Sequence, residues 1–183
     1  MNILILSQCS AKKNYKLPTN LKALEEDDFI DSQILEKRIL ELKPYEKKAC
    51  DLYDGMMQYL MYPAIDNLRN LFKEKVNFDH YIISAGFGLV KDDQLLVPYN
   101  KTFQGKTEKF IIAEAQKLGI ADKLNNVLNN NYDLIFILVG EDYLIGIKSI
   151  LKKLNNSINS KSIFIFTAKV TDDINNFQII LSG

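Results

Sequence analysis

Short apolar runs punctuate the chain. Residues 2–7 (NILILS), Tyr81–Ala85 (YIISA), Leu134–Gly140 (LIFILVG) and Ser162–Thr167 (SIFIFT) are rich in Ile, Leu and Phe. None alternates polar with apolar residues. Strands buried on both faces read this way, and they belong to parallel sheets covered by helices. A fifth run, Phe177–Leu181 (FQIIL), predicts an edge strand. Between the runs the apolar period lengthens to that of a helix. Ile34, Ile39 and Leu42 lie near one stripe of a helix over 34–42, which Pro44 closes. Met56–Phe72 is apolar at helical spacing, and Pro63 either kinks it or starts a second helix. Lys106–Asn126 predicts helix with a break at Gly119. Asp142–Leu154 predicts an amphipathic helix, with Lys148, Lys152 and Lys153 toward its C-terminal end, where cations suit the helix dipole.

This alternation of strand and helix predicts the α/β class, with a mainly parallel sheet of four to five strands and helices on both faces. No Pro- or Gly-rich linker divides the 183 residues, so one domain spanning 1–183 is expected. The acidic run Glu25–Asp28 reads as a solvated loop or helix start. The Asn-rich stretches at 125–131 and 155–159 read as helix ends and turns.

Composition narrows the chemistry. The 23 Lys and Arg balance 23 Asp and Glu, which argues against a protein that coats nucleic acid by bulk charge. The positions are less even than the total. Lys12, Lys13, Lys16 and Lys22 come early, and acids from Glu25 to Asp31 follow, so a local basic pocket is compatible with zero net charge. There is one His and there are two Cys. Cys9, Cys50 and His80 are too few for a structural zinc site, so no metal is expected. Two Cys make no disulfide framework, and a reducing cytoplasm is expected. No apolar run approaches the roughly 20 residues of a membrane helix, so no membrane partner is expected. The N-terminus lacks the basic start and cleavage site of a signal peptide. Ser-His-Asp chemistry would have to use His80. That residue precedes the second strand, opposite the ligand edge, and reads as a surface or packing residue.

In open parallel sheets, ligands bind beyond the C-terminal ends of the strands. Four segments qualify: Gln8–Lys13, Gly86–Leu89, Gly140–Tyr143 and Ala168–Thr171. In the first, Ser7, Ser10, Lys12 and Lys13 would hold a phosphate or carboxylate, and lysine would activate Cys9 as a nucleophile. The competing reading packs Cys9 as a small apolar residue. In the second, Ser84, Gly86 and Gly88 would bring the backbone close to a ligand. Its spacing does not match the dinucleotide fingerprint, and no cofactor is expected. Tyr99 and Thr102, in the irregular stretch beyond, would stack on a base and bond to it, or anchor packing. Gly140 and Tyr143 complete the strand-end set. Asp51 and Tyr53 sit just before the long helix and would supply an acid or base. Asp51 or Asp54 would otherwise cap that helix.

Four ordered blocks carry a resemblance: Leu6–Lys13, Ala49–Gly55, Tyr81–Val90 with Pro98–Thr102, and Val139–Tyr143. Together they resemble the YaaA-like family of small prokaryotic proteins, labelled after a peroxide-stress protein. The resemblance covers roughly residues 2–150. It implies a Rossmann-like fold, distantly similar to uracil-DNA glycosylases and to domains of tRNA-modifying enzymes, and a nucleobase or nucleic-acid connection. Two departures stand out. Gly86 occupies the position where the family carries a basic residue, and Gln8 is an extra residue before Cys9.

Two functions follow as expectations. The first is an enzyme acting on a nucleotide, nucleoside or nucleic-acid base, such as a glycosidic-bond hydrolase or transferase, with Asp51 as acid or base. The second is a non-catalytic module that binds or senses a phosphorylated ligand or nucleic acid in a stress or defence response. A deep pocket with a buried Asp51 favours the first, and an open groove favours the second.

Overall fold

The computed structural model describes residues 1–157, 162–167 and 178–181. Six strands form one sheet in the order β4-β3-β1-β6-β7-β8. They are β1 (Asn2–Gln8), β3 (Asn77–Ser84), β4 (Gly88–Lys91), β6 (Leu134–Leu138), β7 (Ser162–Thr167) and β8 (Gln178–Leu181). All neighbouring pairs are parallel except β3 with β4. The fold is therefore α/β with a mainly parallel sheet, as the uninterrupted apolar runs predict. The strand beyond the expected four to five is β4, which the sequence presents as part of a turn. Gly88, at φ 77°, starts it, and Leu89 and Val90 then pair back against Ile83 and Ile82. A separate two-stranded ladder joins β2 (Lys47–Lys48) to β5 (Leu95–Leu96).

Helices cover both faces. On one, α3 (Met56–Phe72) lays Ile65 on Ile3, Ile5 and Phe78. On the other, α4 (Glu108–Lys117), α5 (Ile120–Leu128) and α6 (Glu141–Ser157) join Leu4, Leu6, Ile135 and Ile137 in the main core. Each fully buried Leu or Ile there contributes about 1.5–3 kcal/mol. Between β1 and α3 lie a 3-10 turn over Glu26–Phe29, α1 (Ser32–Leu42) and the short α2 (Ala49–Leu52). The acidic run therefore opens a turn, with Glu25 and Asp28 forming a capping box.

Local signals explain the boundaries. Asp31 caps α1 through the amides of Gln33 and Ile34, a contribution of about 1 kcal/mol. Gly119 separates α4 from α5 in the left-handed region, at φ 61°, where glycine is tolerated. Pro63 neither ends α3 nor starts a new helix: α3 runs unbroken across it. Pro63 is exposed, so the carbonyl it leaves without a partner can meet water. The cap expected from Asp51 or Asp54 is not made. Gly55 is the N-cap of α3, Asp51 lies inside α2, and Asp54 pairs elsewhere. Among the described residues no helix is long and apolar enough to cross a membrane. The strand-end segment Ala168–Thr171 lies outside the described residues, as do Phe177 and the Asn-rich stretch beyond Ser157.

Candidate functional site

The chain leaving β1 is clasped to the 49–55 block. Asn14 donates to the Leu52 carbonyl at 2.7 Å, and Asp54 donates to the Lys12 carbonyl at 3.2 Å. The Ser10 hydroxyl donates to the Lys12 carbonyl and accepts from the Asp54 amide at 3.1 Å. Lys12 reaches back to the Asp54 carboxylate at 2.6 Å, with both side chains well exposed. Two segments distant in sequence thus form one wall, and the charge of Lys12 is neutralised there.

Most of the expected site residues meet, but in a closed cluster. Cys9 is 1% exposed, and its thiol lies 3.1 Å from the Tyr143 hydroxyl. That hydroxyl also lies 3.1 Å from the half-buried Thr102 hydroxyl and accepts from the Phe103 amide. Beside it, the Tyr99 hydroxyl bridges Tyr53 at 3.0 Å and Ser84 at 2.8 Å, and Ser84 accepts from the amides of Gly86 and Phe87. Tyr53, Ser84 and Tyr99 are all buried. Burial, and then the neighbouring Cys9, push the phenols of Tyr53, Tyr99 and Tyr143 far above their ordinary range. These groups serve as neutral hydrogen-bonding partners, each satisfied by the next.

The Tyr99 ring is enclosed by Phe29, Phe87 and Tyr53, with centroids 5.1–6.3 Å away. In this arrangement it packs edge-to-face against protein rings. A Cβ placed on Gly86 would stand 2.9 Å from the Tyr99 ring, so the glycine makes room for that packing. Positive charge arrives from elsewhere. Lys13 Nζ lies 4.2 Å from the Tyr99 centroid, and Lys101 Nζ lies 4.7 Å from that of Phe29. Lys101 is buried and paired with Glu114. Lys13 donates to the carbonyls of Ser10, Ala11 and Lys101, and burial lowers its pKa against a smaller opposing effect of Cys9. Gly88 fits tightly too: a Cβ there would stand 2.9 Å from the Leu118 carbonyl oxygen.

The strand-end rule points to the crevice between β1 and β6, because β1 is followed by helix on one face and β6 by α6 on the other. Here Gln8 fills that crevice. Its side-chain oxygen accepts from the exposed Gly140 amide, and its carbonyl accepts from Gln58 of α3 at 2.7 Å. Gln8 thus joins the two strand ends to α3.

His80 is not before the second strand or at the surface. It lies within β3, which begins four residues before the apolar run, and is 2% exposed. Its Nε2 is 2.8 Å from the Ser7 hydroxyl and its Nδ1 is 3.3 Å from Asp92, which also binds Arg69 at 2.8 Å. Polar Asn77, Asp79 and His80 masked this half of the strand. The Ser7–His80–Asp92 order matches a hydrolase triad, yet Ser7 has no exposed surface. As it stands, the set is a buried polar network between the sheet and α3.

An open cleft of about 570 Å³ lies where the 49–55 block meets α3. Asn14, Asp51, Asp54, Tyr59, Tyr62 and Asp66 line it. Asp51 and Tyr59 are exposed, and the Tyr62 hydroxyl is buried without a partner among the described residues. Of the residues expected at a site, Asp51, Tyr53 and no others line this cleft. Tyr59, Tyr62 and Asp66 were not singled out by sequence reasoning. Their signal is helical spacing: positions 59, 62 and 66 share one side of α3 and carry polar groups within an apolar helix. No family model, curated protein or solved structure matches the chain.

Proposed function

We propose that the protein is a binding module for a ligand that carries a nucleobase, held in the open cleft between the 49–55 block and α3. One observation carries this reading. The cleft sets phenol rings beside carboxylate and amide groups, while the nucleophile candidate Cys9 is sealed in the core. A base presents a flat ring and a polar edge. The exposed Tyr59 offers a ring to stack on, and Asp51 and Asn14 offer partners for the edge. Asp51 is exposed, not buried, at the rim of this cleft.

Calorimetric titration with the common nucleosides and their monophosphates tests the reading. Saturable binding with a rise in Tm is expected, because a ligand of the folded state stabilises it. Tyr59→Ala and Asp51→Ala should weaken that binding. A panel that neither binds nor shifts Tm would overturn the proposal. Asp51 and Asp54 line one cleft, which is the observation favouring an N-glycosidic hydrolase. Chromatography of the same samples for released base decides between the two.

A further inference from the structure

The charges of the cleft say more than its shape. Its wall carries Asp51, Asp54 and Asp66, and neither Lys nor Arg is among the lining residues. Lys12 neutralises Asp54, and Arg69 lies 3.6 Å from Asp66. Among the described residues Asp51 has no ion-pair partner, and it is exposed on the rim. The polar groups in the wall are these three carboxylates, which only accept, and amides and phenols, which do both. The buried Tyr62 hydroxyl has no partner among the described residues, and a bound group would supply one.

We infer that the cleft selects a nucleoside or free base bearing an exocyclic amine, and rejects phosphate, so that its ligand is not a nucleotide. The inference rests on the nucleobase reading of this cleft. A carboxylate accepts from an amino group such as cytosine N4. It meets the O4 carbonyl of uracil with repulsion instead. A phosphate brings about two further negative charges beside the exposed Asp51, while Lys12 is already engaged by Asp54 and Arg69 by Asp92 and Asp66. The same field acts on Cys50, which also lines the cleft. Burial, and then the carboxylates of Asp51, Asp92 and Asp66 against Lys48, push its thiol up to about 11.

The test compares cytidine with uridine, and cytidine and adenosine with CMP and AMP, by titration calorimetry on the full chain. Protection of Cys50 from a thiol reagent locates the ligand. Cytidine and adenosine should bind at least tenfold tighter than uridine and than either monophosphate, and should protect Cys50. Added salt should narrow the gap to the monophosphates, since it screens exposed charge. Asp51→Asn, at an exposed position, should keep the native circular dichroism and Tm while shrinking both gaps severalfold. If nucleosides bind and protect Cys50 but either gap is absent, this inference fails and the nucleobase reading stands. If nothing binds, or Cys50 is not protected, both fail.

Discussion

The Ser7 hydroxyl and His80 Nε2 stand 2.8 Å apart between the sheet and α3, joining β1 to β3 by side chains as well as by backbone. With Asp92 at Nδ1 and Ser7 at Nε2, the imidazole of His80 bridges the carboxylate and the hydroxyl. Tyr62 lies across the imidazole, 5.6 Å between centroids. His80→Ala should therefore remove packing and leave the Ser7 hydroxyl unpaired, costing roughly 2–4 kcal/mol. Ser7→Ala should cost about 1 kcal/mol. Urea unfolding of both variants checks the order. A His80→Ala protein as stable as wild type would show that the network contributes nothing.

The far end of that network sets an acid limit. Burial alone would raise the Asp92 carboxyl, but hydrogen bonds and charge from His80 and Arg69 outweigh it and hold it below its ordinary 3.8. A depressed carboxyl stabilises the fold above its unfolded value, and this contribution is lost as pH falls through the lower folded value. Wild type should therefore lose stability progressively below about pH 4. Asp92→Asn should be less stable at pH 7 and show a flatter acid dependence. Urea midpoints from pH 7 to pH 2 measure both. Parallel pH curves for the two proteins would exclude Asp92 as the responsible group.

Gly86 allows the Tyr99 ring to pack where a side chain would stand. Its φ lies outside the left-handed region, so substitution there is a question of space. Gly86→Ala should cost about 1–3 kcal/mol through overpacking. Gly86→Lys, which adds a long basic side chain, should cost more. It must displace Tyr99 or Phe29, and Lys13 and Lys101 already bring their ammonium groups to those rings. Calorimetric Tm values for the two variants check this. A lysine tolerated without loss would mean that the aromatic cluster yields easily.

The class of fold was legible because buried parallel strands leave uninterrupted apolar runs. β1 and β6 fall almost on the expected residues. β3 was half hidden, because its first residues satisfy Asn77, Asp79 and His80 through partners far along the chain, such as Tyr132 on Asp79. The strand-end rule brought Cys9, Ser84, Tyr99 and Tyr143 into one neighbourhood. It could not show that their hydroxyls satisfy one another, because such closure depends on tertiary contacts. Gln8 illustrates the same limit. Only the assembled sheet shows it between β1 and β6, with the open cleft displaced toward α3.

The two cysteines should differ sharply in reactivity. Cys9 is enclosed and bonded to Tyr143, whereas Cys50 is half-buried on the cleft. The thiolate is the reactive form. With Cys50 pushed up to about 11, the thiolate should be on the order of one part in a thousand at pH 8. A disulfide reagent should then modify one thiol slowly in the native protein, with the rate rising about tenfold per pH unit toward that value. The second equivalent should appear only when urea unfolds the chain. Asp51→Asn removes the nearest acidic neighbour in sequence, so it should lower the Cys50 value and speed modification severalfold at pH 8. Peptide mapping assigns each event. Rapid labelling of two thiols in native protein at pH 8 would contradict the sealed Cys9. An unchanged rate in Asp51→Asn would show that the Asp51 carboxylate has no part in holding the Cys50 thiol protonated.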